Sequence, residues 1–179
     1  NRKHPRYFPQ MKDLIEQEMM DRETAQLLVS RFRQGSTLIA GGNSSGKTTI
    51  LNALKETLPN NMAVLVAQQA DELTTRFHPD MMFLHSLPGA GEQQVSYDLE
   101  HISIAGLTMD VDFFIIGEVK GAEALYLLNA AYTGQICAAT IHAPSADRAT
   151  DKLVDYAMYE SRYSRDELMK MMDCFQPLV

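Results

Sequence analysis

The chain has 179 residues, of which 45% are hydrophobic and 22% charged, and its formal net charge is −7. This length and composition predict one globular domain with a sizeable core. The negative charge argues against a broad nucleic-acid-binding surface, and no direct nucleic-acid contact is expected. No apolar run is long enough to span a bilayer. The cysteines, Cys137 and Cys174, are interpreted as buried reduced thiols, which fits a cytoplasmic protein.

The amino-terminal part of the chain predicts a linker and then two short helices. Residues 1–10 are basic, contain two prolines and are predicted to be a linker remnant, with one domain over residues 11–179. The helices are predicted at Met11–Met19 and Asp21–Arg33, the second capped by Asp21. The apolar run STLIA then predicts a strand, followed by the glycine-rich turn GGNSSG and a helix within TTILNALKETL.

The remainder alternates predicted strands and helices, which indicates an α/β fold. Strands are predicted at 62–69, 81–86, 111–118 and 136–142, and helices at 97–109, 121–132, 146–159 and 165–172, with Gly134 stopping the helix before it. Such alternation predicts a mostly parallel sheet with helices on both faces. In sheets of this kind, ligands bind beyond the carboxyl ends of the strands.

The turn between the first strand and its helix carries a phosphate-binding motif. From Gly41 the sequence fits G-x-x-x-x-G-K-[ST], in a strand–turn–helix context. Backbone N–H groups of the turn and the helix N-terminus converge on an anion, Lys47 reaches the β- and γ-phosphates, and the Thr48 hydroxyl takes a Mg²⁺ position. The alternative is a Gly/Ser turn with an exposed lysine. We predict a site for ATP and Mg²⁺ formed by Gly41, Gly42, Asn43, Ser44, Ser45, Gly46, Lys47, Thr48 and Thr49.

Glu118 is predicted to reach the same edge of the sheet. The strand DFFIIGE places Asp112 and Glu118 at opposite ends, roughly 20 Å apart at about 3.3 Å per residue. Glu118 would polarise the attacking water or hold a metal-bound water. The alternative is a solvated glutamate at the start of the next helix.

Two further strand ends supply polar side chains. ICAATIH brings His142 to this edge, where it could sense or donate to the γ-phosphate, or be structural. AVLVAQQADEL brings Gln68 and Gln69, which cannot act as a base. Asp71 or Glu72 could act as one if the turn carried it inward, although a solvated loop is the alternative for both.

Together, GGNSSGKTT, IIGEVKGAEALYLLNAAYTG and ATIHAPS resemble the secretion-superfamily traffic ATPases, which drive type II and type IV secretion, conjugation and pilus assembly. The resemblance is to the branch that serves type IV secretion and Flp/Tad-type pili. It covers the chain from about Leu14 to Leu153. It implies a RecA-like P-loop NTPase domain, the C-terminal motor domain of such an ATPase, preceded in the family by an N-terminal domain. Both ends of the sequence are interpreted as cut from a longer chain.

The resemblance also implies roles and partners. Glu118 matches the catalytic glutamate of the family's atypical Walker B motif, His142 matches the signature His-box histidine, and Glu72 matches a later acidic position of the aspartate box. Arg2, where the interdomain linker would arrive, is a further possible nucleotide contact. The family works as a homohexamer with ATP between subunits, at the cytoplasmic face of the membrane against inner-membrane secretion or pilus platform proteins.

Several departures from the family pattern suggest slow turnover. Gln68 and Gln69 stand where the family offers Glu-Asp, and we expect them to face the site. Thr108 and Asp110 stand where arginines are frequent. Ser44 replaces a usual glycine of the phosphate loop.

Three functions remain open at this point. The leading hypothesis is an ATPase that drives a secretion complex or pilus. The second is a nucleotide-binding assembly or regulatory subunit with little turnover. The third, a RecA-type nucleic-acid motor, is disfavoured by the acidic composition.

Overall fold

The structure, a computed structural model, describes residues 8–87, 97–159 and 161–175. These residues form helices and strands at α1 (Met11–Glu16), α2 (Arg22–Gln34), β1 (Thr37–Gly41), α3 (Lys47–Lys55), β2 (Val64–Gln68), β3 (Met81–His85), α4 (Leu99–Thr108), β4 (Phe113–Val119), α5 (Glu123–Tyr132), β5 (Ile136–His142), α6 (Ala146–Ala157) and α7 (Arg165–Met172).

The five strands form one sheet in the order β1-β5-β4-β2-β3, and every neighbouring pair is parallel. The carboxyl ends of all five strands therefore lie at one edge of the sheet. Gly41 at the end of β1 is level with His142 at the end of β5, and Gln68 is level with His85. The edge that carries the phosphate loop is thus also the edge of His142 and Gln68.

Helices cover both faces of the sheet, which confirms the predicted α/β architecture. One face packs against α4, α5, α6 and α7, in a core that includes Phe114, Ile116 and Ile141. The other face packs against α2 and α3, in a core that includes Phe113 and Ile115. Successive residues of β4 alternate between the two cores. Both faces are buried, which explains why the strands are nearly continuous apolar runs.

The predicted signals at Asp21 and Gly134 are confirmed, whereas several predicted helices extend one to three residues beyond the observed ends. Asp21 caps α2 as predicted, because its carboxylate accepts a hydrogen bond from the backbone N–H of Thr24 at 2.7 Å. α5 ends at Tyr132, and Gly134 follows it two residues later with a left-handed φ of +96°, as predicted. The prediction of one helix over Met11–Met19 was too long, because Glu18 takes a left-handed φ of +57°.

Some sequence predictions concern residues outside the described part. Residues 1–7, most of the predicted linker, and residues 88–96, most of the predicted loop around LPGAGE, are among them. Cys137 is buried as expected, and burial raises the pKa of its thiol to about 12. Cys174 is only half-buried, so the expectation that it is buried was wrong. Within the described residues, no helix is long and apolar enough to cross a membrane.

The packing of α4 on the sheet generates a stability prediction. A Cβ at Gly106 would lie 3.0 Å from Leu65 Cδ2 and 3.3 Å from Phe114 Cε2, so a larger side chain has no room. Gly106→Val is expected to lower the free energy of unfolding by about 1–3 kcal/mol in urea titrations. Leu107→Val, at the exposed neighbouring position, is the control and should change it by less than about 0.5 kcal/mol. Equal losses in the two variants would contradict this close packing.

Candidate functional site

The loop between β1 and α3 has the backbone conformation of an anion cradle. Gly46 immediately precedes α3 and has a left-handed φ of +91°, which leaves the first N–H groups of the helix open. Ser44 also has a positive φ, +57°, which explains why a glycine is usual at this position. A Cβ at Gly41 would lie 2.5 Å from Ser45 Oγ, so the loop folds back tightly on the end of β1.

Lys47 connects this loop to the end of β5. It is only 7% exposed. Its Nζ donates to the carbonyl of Gly42 at 2.6 Å and lies 3.3 Å from His142 Nδ1. Because an ammonium can only donate, Nδ1 of His142 is the acceptor, and Nε2 carries the ring proton of the neutral imidazole. The predicted phosphate-binding lysine and His-box histidine are therefore in direct contact.

Glu118 lies on the other side of His142. Its Oε1 is 2.8 Å from His142 Nε2, and its Oε2 is 2.7 Å from Lys120 Nζ. Despite this short distance, no described residue makes a hydrogen bond of acceptable geometry to the buried Oε1. A buried carboxylate oxygen needs a partner. This oxygen is accordingly suited to receive a water molecule at the cleft.

A β-bulge directs Glu118 into the cleft. The pairing of β4 with β5 runs regularly to Ile116 opposite Ala139 and resumes at Val119 opposite Ile141, so two residues of β4 oppose one of β5. Val119 therefore takes the place on the core face that Glu118 would have in a regular strand. Thr140 Oγ1 donates to the carbonyl of Gly117 at 2.7 Å, inside the bulge.

Thr48 and Glu72 form a second pair of contacting polar side chains in the site. Thr48 Oγ1 donates to Glu72 Oε2 at 3.3 Å. Glu72 lies in the turn after β2, and Asn52 of α3 holds this turn by donating to the Glu72 carbonyl at 2.9 Å and accepting from the N–H of Thr74 at 3.2 Å. Glu72 lines the cavity of the phosphate loop, while its side chain is also exposed to solvent, so the structure does not exclude the solvated alternative.

Gln68 and Gln69 both line the small cavity beside Thr48 and Glu118, on the side of the site where we expected them. Gln69 is exposed. The Gln68 side chain is buried, at 2% exposure, and its amide is bonded to the backbone of Leu73 and to the N–H of Glu72. Gln68 therefore holds the turn that carries Glu72, and both polar atoms of its amide are engaged by the backbone of this turn.

The residues at the start of β4 lie at the opposite edge of the sheet. Asp112 immediately precedes β4, and its carboxylate accepts a hydrogen bond from the N–H of Ala63 at 2.8 Å. This position agrees with the prediction that Asp112 lies at the end of the strand opposite to Glu118. Thr108 ends α4, and Asp110 follows it. Arginines at these positions could not reach the phosphate loop of the same chain, so their absence does not weaken this chain's own site. Arg2 lies outside the described residues.

The cleft is suited to a nucleotide and a divalent cation. A cavity of about 540 Å³ is lined by residues 43–49 together with Glu72, Glu118, Thr140 and His142. Within the described part of the chain, no cluster of three or more His, Cys, Asp or Glu residues could hold a metal alone. Mg²⁺ commonly binds through one or two protein oxygens and the phosphates of its substrate, and Thr48 Oγ1 beside Glu72 and Glu118 can supply these oxygens. Asn43, Ser45 and Thr49 line the mouth.

Sequence reasoning missed Lys120, Thr140 and Asn52. Lys120 is two residues after Glu118 in the motif GEVKG, a spacing that could have signalled an ion pair at the bulge. Asn52 and Thr140 lie inside apolar runs, where a polar residue needs a hydrogen-bond partner. A polar residue inside an apolar run, close to the phosphate loop for Asn52 and close to His142 for Thr140, is the signal that could have identified both residues.

Comparison with known proteins identifies the family. The pattern of the family described as type II/IV secretion system protein matches residues 3–172, and the chain belongs to this family. The type IV secretion system protein PtlH of Bordetella pertussis is 31% identical over 119 residues, which make up 65% of this chain and 34% of PtlH. The family confirms the resemblance to secretion proteins that the sequence motifs predicted.

Two solved structures share the fold. The VirB11 ATPase of the Brucella suis type IV secretion system aligns with a TM-score of 0.71 at 18% identity, over 90% of this chain and 46% of that one. The pilus retraction motor PilT, solved with bound ADP, aligns with a TM-score of 0.70 at 21% identity, over 98% of this chain and 48% of that one. The fold is therefore RecA-like. The chain spans less than half the length of the curated relatives that it matches first.

The tight turn at Gly41 generates a matched pair of variants. Gly41→Ala is expected to lower the free energy of unfolding by about 0.5–1.5 kcal/mol, because its Cβ would force the Ser45 side chain out of its present rotamer. Gly42→Ala is the control, since a Cβ there has nothing within 4 Å. Thermal unfolding without nucleotide measures both. A Gly42→Ala variant that is destabilised as much as Gly41→Ala would refute this loop geometry.

Proposed function

We propose that the chain is the ATP-binding and ATP-hydrolysing motor domain of a type II/IV secretion, conjugation or pilus-assembly ATPase. One observation carries this proposal: a continuous chain of contacts leads from the phosphate loop through Lys47 and His142 to Glu118. Thr48 and Glu72 face the same cavity. A group that binds phosphate is thereby connected to a carboxylate that can act on water.

The phosphate loop and α3 are proposed to bind the triphosphate. Open N–H groups at the start of α3 and the Lys47 ammonium provide donors and positive charge. Thr48 and Glu72, 3.3 Å apart, would hold the cation from the protein side. Mg²⁺, when bound, neutralises charge that develops on the phosphates. The Lys47 ammonium has three N–H donors, so it can donate to a phosphate while it still contacts Gly42 and His142.

Glu118 is proposed to orient the attacking water and accept its proton. Its carboxylate side chain is 27% exposed and lies at the junction of two cavities, one of about 540 Å³ at the phosphate loop and one of about 90 Å³ towards Gln68 and Lys120. Lys120 Nζ and His142 Nε2 each lie within 2.8 Å of one oxygen of this carboxylate, so the two groups flank the Glu118 side chain. His142 is proposed to transmit the state of the phosphates to Glu118, because it contacts Lys47 as well.

The biological setting is proposed from the family and from the relatives' names. PtlH is named a type IV secretion system protein, and PilT is described as a pilus retraction motor with bound ADP. We propose a homohexamer in the full-length protein. It would work at the cytoplasmic face of the membrane against inner-membrane platform proteins. The net charge of −7 supports protein partners over nucleic acid.

A second function is favoured by the contacts of Glu118. Its two oxygens lie against His142 and Lys120, so a carboxylate locked in this way would leave a nucleotide-binding assembly subunit with little turnover. The proposed motor requires that nucleotide binding leave Glu118 able to act on water. Steady-state hydrolysis by the full-length protein separates the two functions.

Lys47 is expected to supply a large part of the affinity for ATP. Lys47→Ala should weaken binding of a non-hydrolysable ATP analogue roughly tenfold to a hundredfold, since a charge-assisted hydrogen bond contributes about 1.5–3 kcal/mol. Calorimetric titration measures the change. Lys170→Ala removes an exposed lysine of α7 and should bind as the parent does. Unchanged affinity in Lys47→Ala would remove the nucleotide-site assignment.

Glu118 is expected to be needed for ATP hydrolysis but not for ATP binding. Glu118→Gln keeps the shape of the side chain but loses its basicity, so turnover should fall by roughly 10²–10⁴ while affinity for the ATP analogue stays near the parent's. Asp112→Asn makes the same chemical change at the opposite edge of the sheet and should leave turnover unaffected. Phosphate release measures both variants. Parent-like turnover in Glu118→Gln would move the basic role to another group.

A further inference from the structure

We infer that Gln68 is a positioning residue: its amide locks the turn after β2 and thereby fixes Glu72 beside Thr48. This inference deepens the proposed function and rests on it for the role of Glu72. It also reverses the expectation that an amide at this position is a weakened form of a catalytic carboxylate.

The Gln68 amide pairs with Leu73 as another strand's backbone would. Its Oε1 accepts from the N–H of Leu73 at 2.8 Å, and its Nε2 donates to the Leu73 carbonyl at 2.9 Å. Oε1 also accepts from the N–H of Glu72 at 3.2 Å. The backbone of Leu73 offers one donor and one acceptor, so the orientation of the amide is fixed by its partners.

His85, on the neighbouring strand β3, also contacts the Gln68 amide. Its Nε2 lies 2.9 Å from Gln68 Nε2 and 3.3 Å from Asp71 Oδ1. Because Gln68 Nε2 can only donate, the neutral His85 ring accepts a hydrogen bond at Nε2. Both N–H groups of the Gln68 amide are thus used, one on the turn and one on the neighbouring strand.

The turn is held from two sides by two amides. Gln68 of β2 binds the N–H of Glu72 and both backbone groups of Leu73, and Asn52 of α3 binds the Glu72 carbonyl and the N–H of Thr74. Asn52 lies on the same helix as Thr48. The distance of 3.3 Å between Thr48 Oγ1 and Glu72 Oε2 therefore follows from the placement of this turn.

An ionised carboxylate cannot replace the Gln68 amide. It would accept from the N–H groups of Glu72 and Leu73 but could not donate to the Leu73 carbonyl, and two acceptors would face each other. It would also bring a charge to a position that is 2% exposed. Gln68→Glu, which restores the family's usual acidic residue, should therefore impair the site.

The first experiment compares Gln68→Glu with a matched amide-to-carboxylate change in the full chain. Gln68→Glu should lower kcat roughly tenfold to a hundredfold, the effect of misplacing a reacting group by about 1 Å, with ATP-analogue affinity near the parent's. Gln135→Glu is the control. Gln135 also donates its amide to a backbone carbonyl, that of Val111, but at the opposite edge. That control can lose stability but should keep its kcat. A raised kcat, or a kcat equal to the parent's, in Gln68→Glu overturns the inference.

A double-mutant cycle with Glu72→Gln tests whether Gln68 acts through Glu72. If it does, Gln68→Glu lowers turnover much less in the Glu72→Gln background than in the parent. A loss of turnover in the double variant equal to the sum of the losses in the two single variants, on a logarithmic scale, would overturn the inference. A Glu72→Gln variant with parent turnover would instead overturn the role of Glu72 in the proposed function.

Hydrogen exchange provides a readout that needs no catalysis. The amides of Glu72 and Leu73 should be protected in the parent and should exchange at least tenfold faster in Gln68→Met, which removes the oxygen that accepts from both, while the amides of β5 remain unchanged. Unchanged protection of Glu72 and Leu73 would overturn the inference even if no variant hydrolyses ATP. A parent that does not hydrolyse ATP would overturn the proposed function alone.

Discussion

The parallel pairing of all the described strands is the constraint on which the site depends. Because neighbouring strands run the same way, the end of every strand lies at one edge. Both faces of the sheet are covered by helices, so most side chains within the strands are apolar. Most polar groups of the sheet lie near the ends of the strands. Lys47, Glu118 and His142 are therefore neighbours in space although they are far apart in the sequence.

The β-bulge is the one irregularity that turns this edge into a site. In a regular strand, Glu118 would lie on the same face as Ile116, against the helices α4 to α7. A carboxylate there would be buried without a partner, at a cost of several kcal/mol. The extra residue places Val119 in that core position, and Glu118 turns to His142 and Lys120. A Cβ at Gly117 would lie 3.2 Å from Gln68 Cβ, so the bulge also requires a small residue beside β2.

Local patterns predicted the architecture because each element carries its own signal. Apolar runs predicted the strands, and Asp21 and Gly134 predicted where helices begin or end. The G-x-x-x-x-G-K-T spacing predicted the phosphate loop. Lys47, Glu118 and His142 could be placed at one edge from topology alone. The length of α1 could not be predicted, since the left-handed φ of Glu18 has no sequence signal comparable to glycine. The bulge and the contacts of Gln68 depend on the register between strands, which the sequence of one strand does not contain.

Gln68 shows why the meaning of a substitution depends on the atoms around it. Compared with the family's motif, an amide in place of a carboxylate suggests a lost catalytic group. In the structure, the backbone of Leu73 offers one donor and one acceptor, and only a group with both properties satisfies them. Asn52 meets the same requirement at the Glu72 carbonyl and the N–H of Thr74. Two amides thus do what neither an ionised carboxylate nor an ammonium could do, and the acidic roles that we propose at this edge belong to Glu72 and Glu118.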